Sequence, residues 1–194
     1  MARRISIVQG HPDPSGGRLC HALADAYAGG AEEAGHEIRR VEVARLEFSL
    51  LRTQEEFETG AAPPEIQIAQ EAIRWAEHLV IVYPLWLGTM PALLKGFLEQ
   101  AFRPGFAFDA KPKGLWDKRL KGRSARIVVT MGMPALVYRW YFGAHGLKSL
   151  ERNILGFCGI RPIRESLFGM VEAAGDAKRR QWLERMRDYG RRAR

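Results

Sequence analysis

Cysteine is scarce: Cys20 and Cys158 are the only two in 194 residues. No CxxC spacing accompanies them. A zinc site, an iron–sulfur cluster or a dithiol redox centre has no ligand set to build on, and no metal is expected. Both fall in helical patterns among apolar neighbours and read as small core residues of a reducing compartment. Long apolar runs are lacking too. The longest uncharged one, Leu79 to Leu94, is shorter than the ~20 residues a membrane helix needs, and Pro84, Gly88 and Pro91 interrupt it. The N-terminal run ISIVQ is shorter than the roughly 7–15 residues of a signal-peptide core. A cytoplasmic location is the expectation. Negative charge is in deficit: 22 acidic residues face 30 basic ones, for a net charge of +8. Such an excess suits nucleic acid, an anionic membrane face or an anionic ligand. The basic residues are nevertheless spread along the chain, mostly as Arg beside Glu or Asp, and no nucleic-acid motif accompanies them. The densest cluster, KRRQWLERMRDYGRRAR, reads as a helix with a solvated face and a short tail. Nucleic acid is not expected as a partner, and peripheral membrane contact is not favoured.

What is present is alternation. The length favours one domain over 1–194 with an ample core. ISIVQ (5–9) is a short β-branched run, and Arg18 to Ala34 reads as a helix ending at Gly35. HEIRRVEV (36–43) alternates like a strand, and Glu65 to Glu77 is helical. HLVIVY (78–83) and ARIVVTM (125–131) are continuous apolar runs of the kind buried on both faces. Between them a helix opens at Pro91, with Leu93, Leu94, Phe97, Leu98, Ala101 and Phe102 at helical spacing. A helix over His145 to Gly156, a weaker strand within 160–171 and a last helix from Asp176 complete the series. Strands alternating with helices predict an α/β fold: a doubly wound, five-stranded parallel sheet between two helical layers, in order 2-1-3-4-5. Ligands in such sheets bind beyond the carboxyl ends of the strands, at the switch point between strands 1 and 3.

Three loops leave that rim, and all are unusual. GHPDPSGGRLCHAL (10–23) is extended by two prolines and loosened by two glycines, and Ser15 is expected near the helix N-cap. A helix N-terminus with His11 and Arg18 beside it suits phosphate; an ordinary Ser-capped helix fits equally well. PLWLGTMP (84–91) carries no charge. Pro91 suits the first helical position, which makes Met90 the cap, and methionine accepts no hydrogen bond from the free amides. Those amides, with those of Trp86 to Thr89, are expected to be open to water or ligand. Leu85, Trp86 and Leu87 would wall a flat heteroaromatic ring, a reading favoured over a buried apolar corner. TMGMPALVYRWYFGAHG (130–146) begins with a Thr-x-Gly turn that lets backbone approach a ring. It continues through Tyr138, Trp140, Tyr141 and Phe142, which suit a lid, a subunit interface, or in Tyr138 and His145 a proton donor.

Together these segments resemble the NAD(P)H:quinone oxidoreductases with a flavodoxin-like fold. The resemblance spans nearly the whole chain. It rests on His11 after the first strand, on YPLWLGTMPALLKGFLEQAFRPGFAF, on Thr130-x-Gly132 followed by Tyr138 and His145-Gly146, and on ILGFCGI (154–160). It implies a tightly bound flavin, FAD or alternatively FMN, with NAD(P)H as co-substrate, in a homodimer. His11, Ser15, Gly17 and Arg18 would lie by the flavin phosphates. Pro84, Leu85, Trp86, Leu87 and Gly88 would hold the isoalloxazine, with Thr130, Met131 and Gly132 flanking it. Phe106 and Phe108, with Tyr138, would close a substrate pocket, and Tyr138 and His145 would balance charge and protons. Three features depart from the family pattern: Gly16-Gly17-Arg18 replaces a bulky residue and Asn, Leu87 replaces the second of an aromatic pair, and the spacing from Tyr138 to His145 is one residue longer than in the animal enzymes.

The implied activity is ping-pong hydride transfer from NAD(P)H through the flavin to a quinone or similarly flat acceptor. A flavodoxin-type electron carrier and a regulatory subunit of a membrane transporter are the rival readings. The net charge of +8 speaks against the first, since such carriers are usually acidic.

Overall fold

The computed structural model describes residues 1–111 and 115–194. Its centre is a parallel sheet of five strands: β1 (Arg4–Gln9), β2 (Glu37–Glu42), β3 (His78–Pro84), β6 (Ser124–Thr130) and β7 (Ile163–Phe168). Their spatial order is β2-β1-β3-β6-β7. This is the expected doubly wound order, with its reversal between β1 and β3. The two apolar runs became the central strands because both of their faces are covered. Leu79, Ile81 and Tyr83 of β3 face one core cluster, while Val80 and Val82 face the other. β2, at the edge, buries only Val41 among its six residues.

Helices cover both faces. α1 (Leu19–Glu33) and α7 (Asp176–Arg191) pack together on one side. α7 seats Trp182, Met186 and Gly190, one turn apart, against α1 and the sheet. The contact is backbone to backbone: a Cβ added at Gly30 would lie 2.0 Å from the Arg187 carbonyl oxygen, and one at Gly190 would lie 2.0 Å from that of Tyr27. α3 (Pro64–Trp75) and α4 (Ala92–Ala101) cover the other face, with Leu94, Phe97, Leu98 and Ala101 buried at helical spacing.

Several details depart from the sequence reading. The mixed segment 44–64 contains a short helix, α2 (Gln54–Glu58), closed by a capping box between Thr53 and Glu56. β4 (Phe108–Lys111) and β5 (Leu115–Lys118) form an antiparallel pair, and α5 (Ala135–Trp140) interrupts the third loop. These elements are four to six residues long, too short for a periodicity to declare itself. α6 (His145–Lys148) runs straight on over Ser149–Leu155, where the turns widen to the i→i+5 pattern. Pro91 is the N-cap of α4 rather than its first residue: its ψ of 147° is extended, so the helix begins one residue later, at Ala92.

Candidate functional site

The carboxyl ends of β1, β3 and β6 share one rim of the sheet. The loops leaving them line a cleft of about 1230 Å³, bounded further by the first turns of α1 and by Arg179 and Leu183 of α7.

The loop after β1 is held by side chains that fold back two residues along the chain. Gln9 Oε1 accepts from the His11 amide at 3.1 Å, and His11 Nδ1 accepts from the Asp13 amide at 3.1 Å. Asp13 Oδ1 accepts from the Ser15 amide at 3.0 Å and from Ser15 Oγ at 2.5 Å. The other Asp13 oxygen takes Arg18 Nε and Nη2 at 3.0 and 2.9 Å. The Ser15 hydroxyl and amide, with the Arg18 guanidinium, hold the Asp13 carboxyl well below the usual carboxylate range. Ser15 is therefore not the helix cap. α1 begins at Leu19 with Arg18 as N-cap, and no side chain caps it. Asp13 is a charged acceptor nearer to Ser15 than the helix is, and it takes the hydroxyl. The consequence is a helix of 15 residues whose first amides keep their hydrogen-bonding capacity and positive dipole end at the cleft wall.

His11 is half-buried. Burial and the neighbouring His21 lower its pKa from 6.5, so it is neutral near pH 7. With Nδ1 accepting a backbone N–H, the neutral ring carries its proton on Nε2 and is a donor there. Its ring lies 6.3 Å from that of Trp86, edge on, and 5.2 Å from that of His21. Behind them Cys20 Sγ sits 3.1 Å from Thr130 Oγ1, tying α1 to β6. Burial pushes the Cys20 thiol up to about 12, which leaves it protonated and unreactive.

The second loop is a tight reversal. Leu85 N–H donates to the Thr130 carbonyl at 2.8 Å, and Trp86 and Thr89 exchange backbone bonds of 2.9 and 3.0 Å. Leu87 (φ 46°) and Gly88 (φ 81°) form its tip in the left-handed region, as a two-residue turn of this hand requires. The expectation of open amides from Trp86 to Thr89 is thus corrected at both ends, where the reversal uses them. Pro84, Leu85 and Trp86 line the cleft. Leu87 and Gly88 project beyond it, with Leu87 fully exposed.

Thr130, Met131 and Gly132 line the cleft directly beside Pro84, Leu85 and Trp86, Thr130 being the register partner of Pro84. Tyr138 does not reach it. Its ring is buried, and its hydroxyl donates to the Gly88 carbonyl at 3.4 Å and accepts from the Leu147 amide at 3.1 Å. His145, the first residue of α6, is exposed. Gly146 lies so close to the reversal that an added Cβ would be 2.5 Å from the Gly88 oxygen. Tyr138, Gly88 and Gly146 therefore form one cluster behind Trp86. Phe106 and Phe108 are buried and line no part of the cleft; Phe108 packs edge on against Phe157 and Trp116 at 4.9 and 5.4 Å. Asp13, His21, Val171, Glu172, Arg179 and Leu183 were not singled out in the sequence. Asp13 carried a signal, since Asp two residues before Ser is an Asx-turn pattern. The others come from helix and loop positions with no motif.

The family model described as "Flavodoxin-like fold" matches residues 3–189. An uncharacterised NAD(P)H oxidoreductase of Haemophilus influenzae is 27% identical over 92% of this chain and 89% of its own length. The human ribosyldihydronicotinamide dehydrogenase [quinone] is 28% identical over 70% of this chain, and the match spans 62% of that protein. Among solved structures, an NAD(P)H:quinone oxidoreductase from Methanothermobacter marburgensis superposes over the full length of both chains with a TM-score of 0.84 at 24% identity, a likeness of fold. The match of the family model over nearly the whole sequence, and a sheet wound in the matching order around a cleft at its switch point, make this chain a member of the flavodoxin-like fold family.

Proposed function

We propose that the chain is a flavin-dependent NAD(P)H oxidoreductase that reduces quinones or similarly flat acceptors in two alternating half-reactions. Oxidoreductase activity is supported by the relatives named above. The observation that carries the flavin is the cleft itself: an uncapped helix N-terminus at one end and a Pro84-Leu85-Trp86 wall at the other, on the switch point of the sheet. The residues fit the group. Phosphate suits the first amides of α1 beside Arg18, and a flat ring system suits the apolar wall. When bound, the flavin supplies the two-electron redox chemistry.

The chain's own residues bind, orient and shield. The α1 amides and Arg18 hold a phosphate. His11 Nε2–H offers a neutral donor beside Trp86. Pro84, Leu85 and Trp86, continued by Thr130, Met131 and Gly132 at the end of the neighbouring strand, shield one side of a ring from water. Tyr138 acts as a positioning residue, because both of its hydroxyl contacts fix the backbone around Gly88. His145, exposed next to that cluster, is the residue available to pass a proton to the acceptor. The chain works as a homodimer: Trp86 of the second loop and Leu136, Trp140, Tyr141 and Phe142 of the third are all at least half-exposed. That much apolar surface on the rim calls for a covering partner, and a second copy would also complete the acceptor pocket.

The test begins with the purified protein. A yellow protein that releases FAD or FMN on denaturation, identified by mass, and that oxidises NAD(P)H when a quinone is added supports the reading. A protein that stays colourless after incubation with either flavin overturns it. Bound flavin without NAD(P)H consumption would instead favour the carrier or regulatory reading.

A further inference from the structure

The opposite pole of the sheet is built differently. At the amino-terminal ends of β1, β3, β6 and β7 lies a recess of about 490 Å³, within the ~300–1,000 Å³ typical of small-molecule sites. Five arginines line it: Arg3, Arg161, Arg164, Arg192 and Arg194. The one acidic side chain on the wall is Glu77, which is already bonded to the Arg4 amide at 3.1 Å and paired with its guanidinium. Arg192 is held by Asp188 at 3.0 Å. Arg3 donates to the Ala193 carbonyl, and Arg123 nearby donates to the Arg74 carbonyl, the usual duty of a cation at a helix C-terminus. Among the described residues Arg161 and Arg164 have neither a carboxylate nor a carbonyl partner.

A second observation points the same way. His78 is also on the wall, although only 1% of it is exposed. Its Nδ1 lies 2.7 Å from Ser124 Oγ, and its Nε2 has no partner. In the tautomer in which the Ser124 hydroxyl donates to Nδ1, the ring proton sits on Nε2 and the side chain is a buried donor lacking an acceptor. Such groups cost about 1–3 kcal/mol when left unmatched. Behind it Arg126, also buried, bonds the Arg194 backbone oxygen and Ser166 Oγ, both at 2.6 Å. Cations without counterions around a buried open donor match a ligand that brings negative charge and several acceptor oxygens.

We propose that this recess binds a small phosphorylated anion at a site separate from the flavin cleft. Strands of six to seven residues put the two sites ~20 Å apart. The ligand's phosphate would bridge Arg161 and Arg164 above the buried His78 ring. The concave shape and the histidine at its floor favour a small molecule over a flat macromolecular surface.

Pyrophosphate is the test ligand. Flavin-saturated protein, with the cleft occupied, is titrated calorimetrically and by thermal shift, with sodium chloride at matched ionic strength as control. Saturable binding and a rise in Tm beyond the chloride response are expected. The double variant R161Q/R164Q, at two exposed positions, should bind pyrophosphate at least ~10-fold more weakly while keeping its flavin content. An identical response to pyrophosphate and chloride, or an unchanged affinity in the double variant, overturns the proposal. So does co-sedimentation with phosphatidylserine vesicles in the absence of any pyrophosphate response, which would assign the arginines to a membrane surface instead.

Discussion

Arg18 illustrates how one residue can serve two partners. Its guanidinium is bonded to Asp13, yet it is the N-cap of an uncapped helix facing the cleft. An anion arriving at those amides also meets the guanidinium. Arg18→Gln removes one charge-assisted contact, and the expected result is a ~10-fold rise in the flavin dissociation constant, read by fluorescence titration of the apoprotein. His145→Ala should leave flavin binding unchanged and lower turnover with a quinone by about 10²-fold, the lower range for a positioned proton donor. Equal turnover in variant and parent removes His145 from the mechanism. Gly146 has a purely steric role. Its methyl would meet the Gly88 oxygen at 2.5 Å, so Gly146→Ala should cost about 1–3 kcal/mol of stability in urea unfolding and shift Trp86 with the displaced reversal.

At the scale of an element, the reversal Trp86–Thr89 departs most from what its residues suggest. Four nonpolar or uncharged residues form a tight turn whose apex, Leu87, is exposed and left-handed. A left-handed conformation costs a branched residue roughly 1–2 kcal/mol. Leu87→Gly should therefore stabilise the isolated chain by up to ~1 kcal/mol, after the entropy of glycine in the unfolded state is set against it. If Leu87 is retained for contact with a second copy, the same variant should weaken dimerisation, read by sedimentation velocity. Tyr138→Phe keeps the packed ring but deletes the two bonds that hold this turn to α6. The expected loss is about 1–3 kcal/mol, because the Leu147 amide is left buried without its acceptor. The sequence showed this loop as apolar and broken by Pro and Gly, but not its internal pairing. That pairing depends on two φ values that no residue except Gly88 announces.

For the whole molecule, the sheet separates a basic pole from one carrying exposed apolar side chains. His78 sits at the basic pole, and burial together with Arg126, Arg3 and Arg164 lowers its pKa from 6.5 to about 3. The native state thus keeps His78 neutral, whereas the unfolded chain protonates it below about pH 6.5. Stability from this group is fully present above pH 6.5 and is lost as the pH falls toward 3, by an amount on the order of 5 kcal/mol at the acid end. Unfolding free energies measured across that window should fall with acidification, and His78→Asn should flatten the curve. The apolar residues around the other pole, Leu136, Trp140, Tyr141 and Phe142, give the molecular prediction for assembly. Trp140→Ser with Tyr141→Ser should shift a dimer to monomer in sedimentation without lowering monomer stability, since both side chains are exposed. Among the described residues no helix is long and apolar enough to cross a membrane.

The sequence by itself determined the five strands of the central sheet, their order and the long helices between them, together with the rim where the three loops meet. Runs such as HLVIVY are apolar on both faces because helices cover both, and that requirement is written residue by residue. It also identified His11, Arg18, Trp86 and Thr130–Gly132 as neighbours, because loops leaving one rim of a parallel sheet must meet. Tertiary structure alone decided the hydrogen-bonding partners. Ser15 bonds Asp13 rather than the helix, Tyr138 clamps Gly88 rather than facing the cleft, and Phe106 and Phe108 turn into the core. It alone gathered Arg3, Arg161, Arg164, Arg192 and Arg194, drawn from separate segments, at one end of the sheet. Periodicity records which face of an element is buried; partners chosen across long sequence separations depend on distances that exist only after the layers have packed.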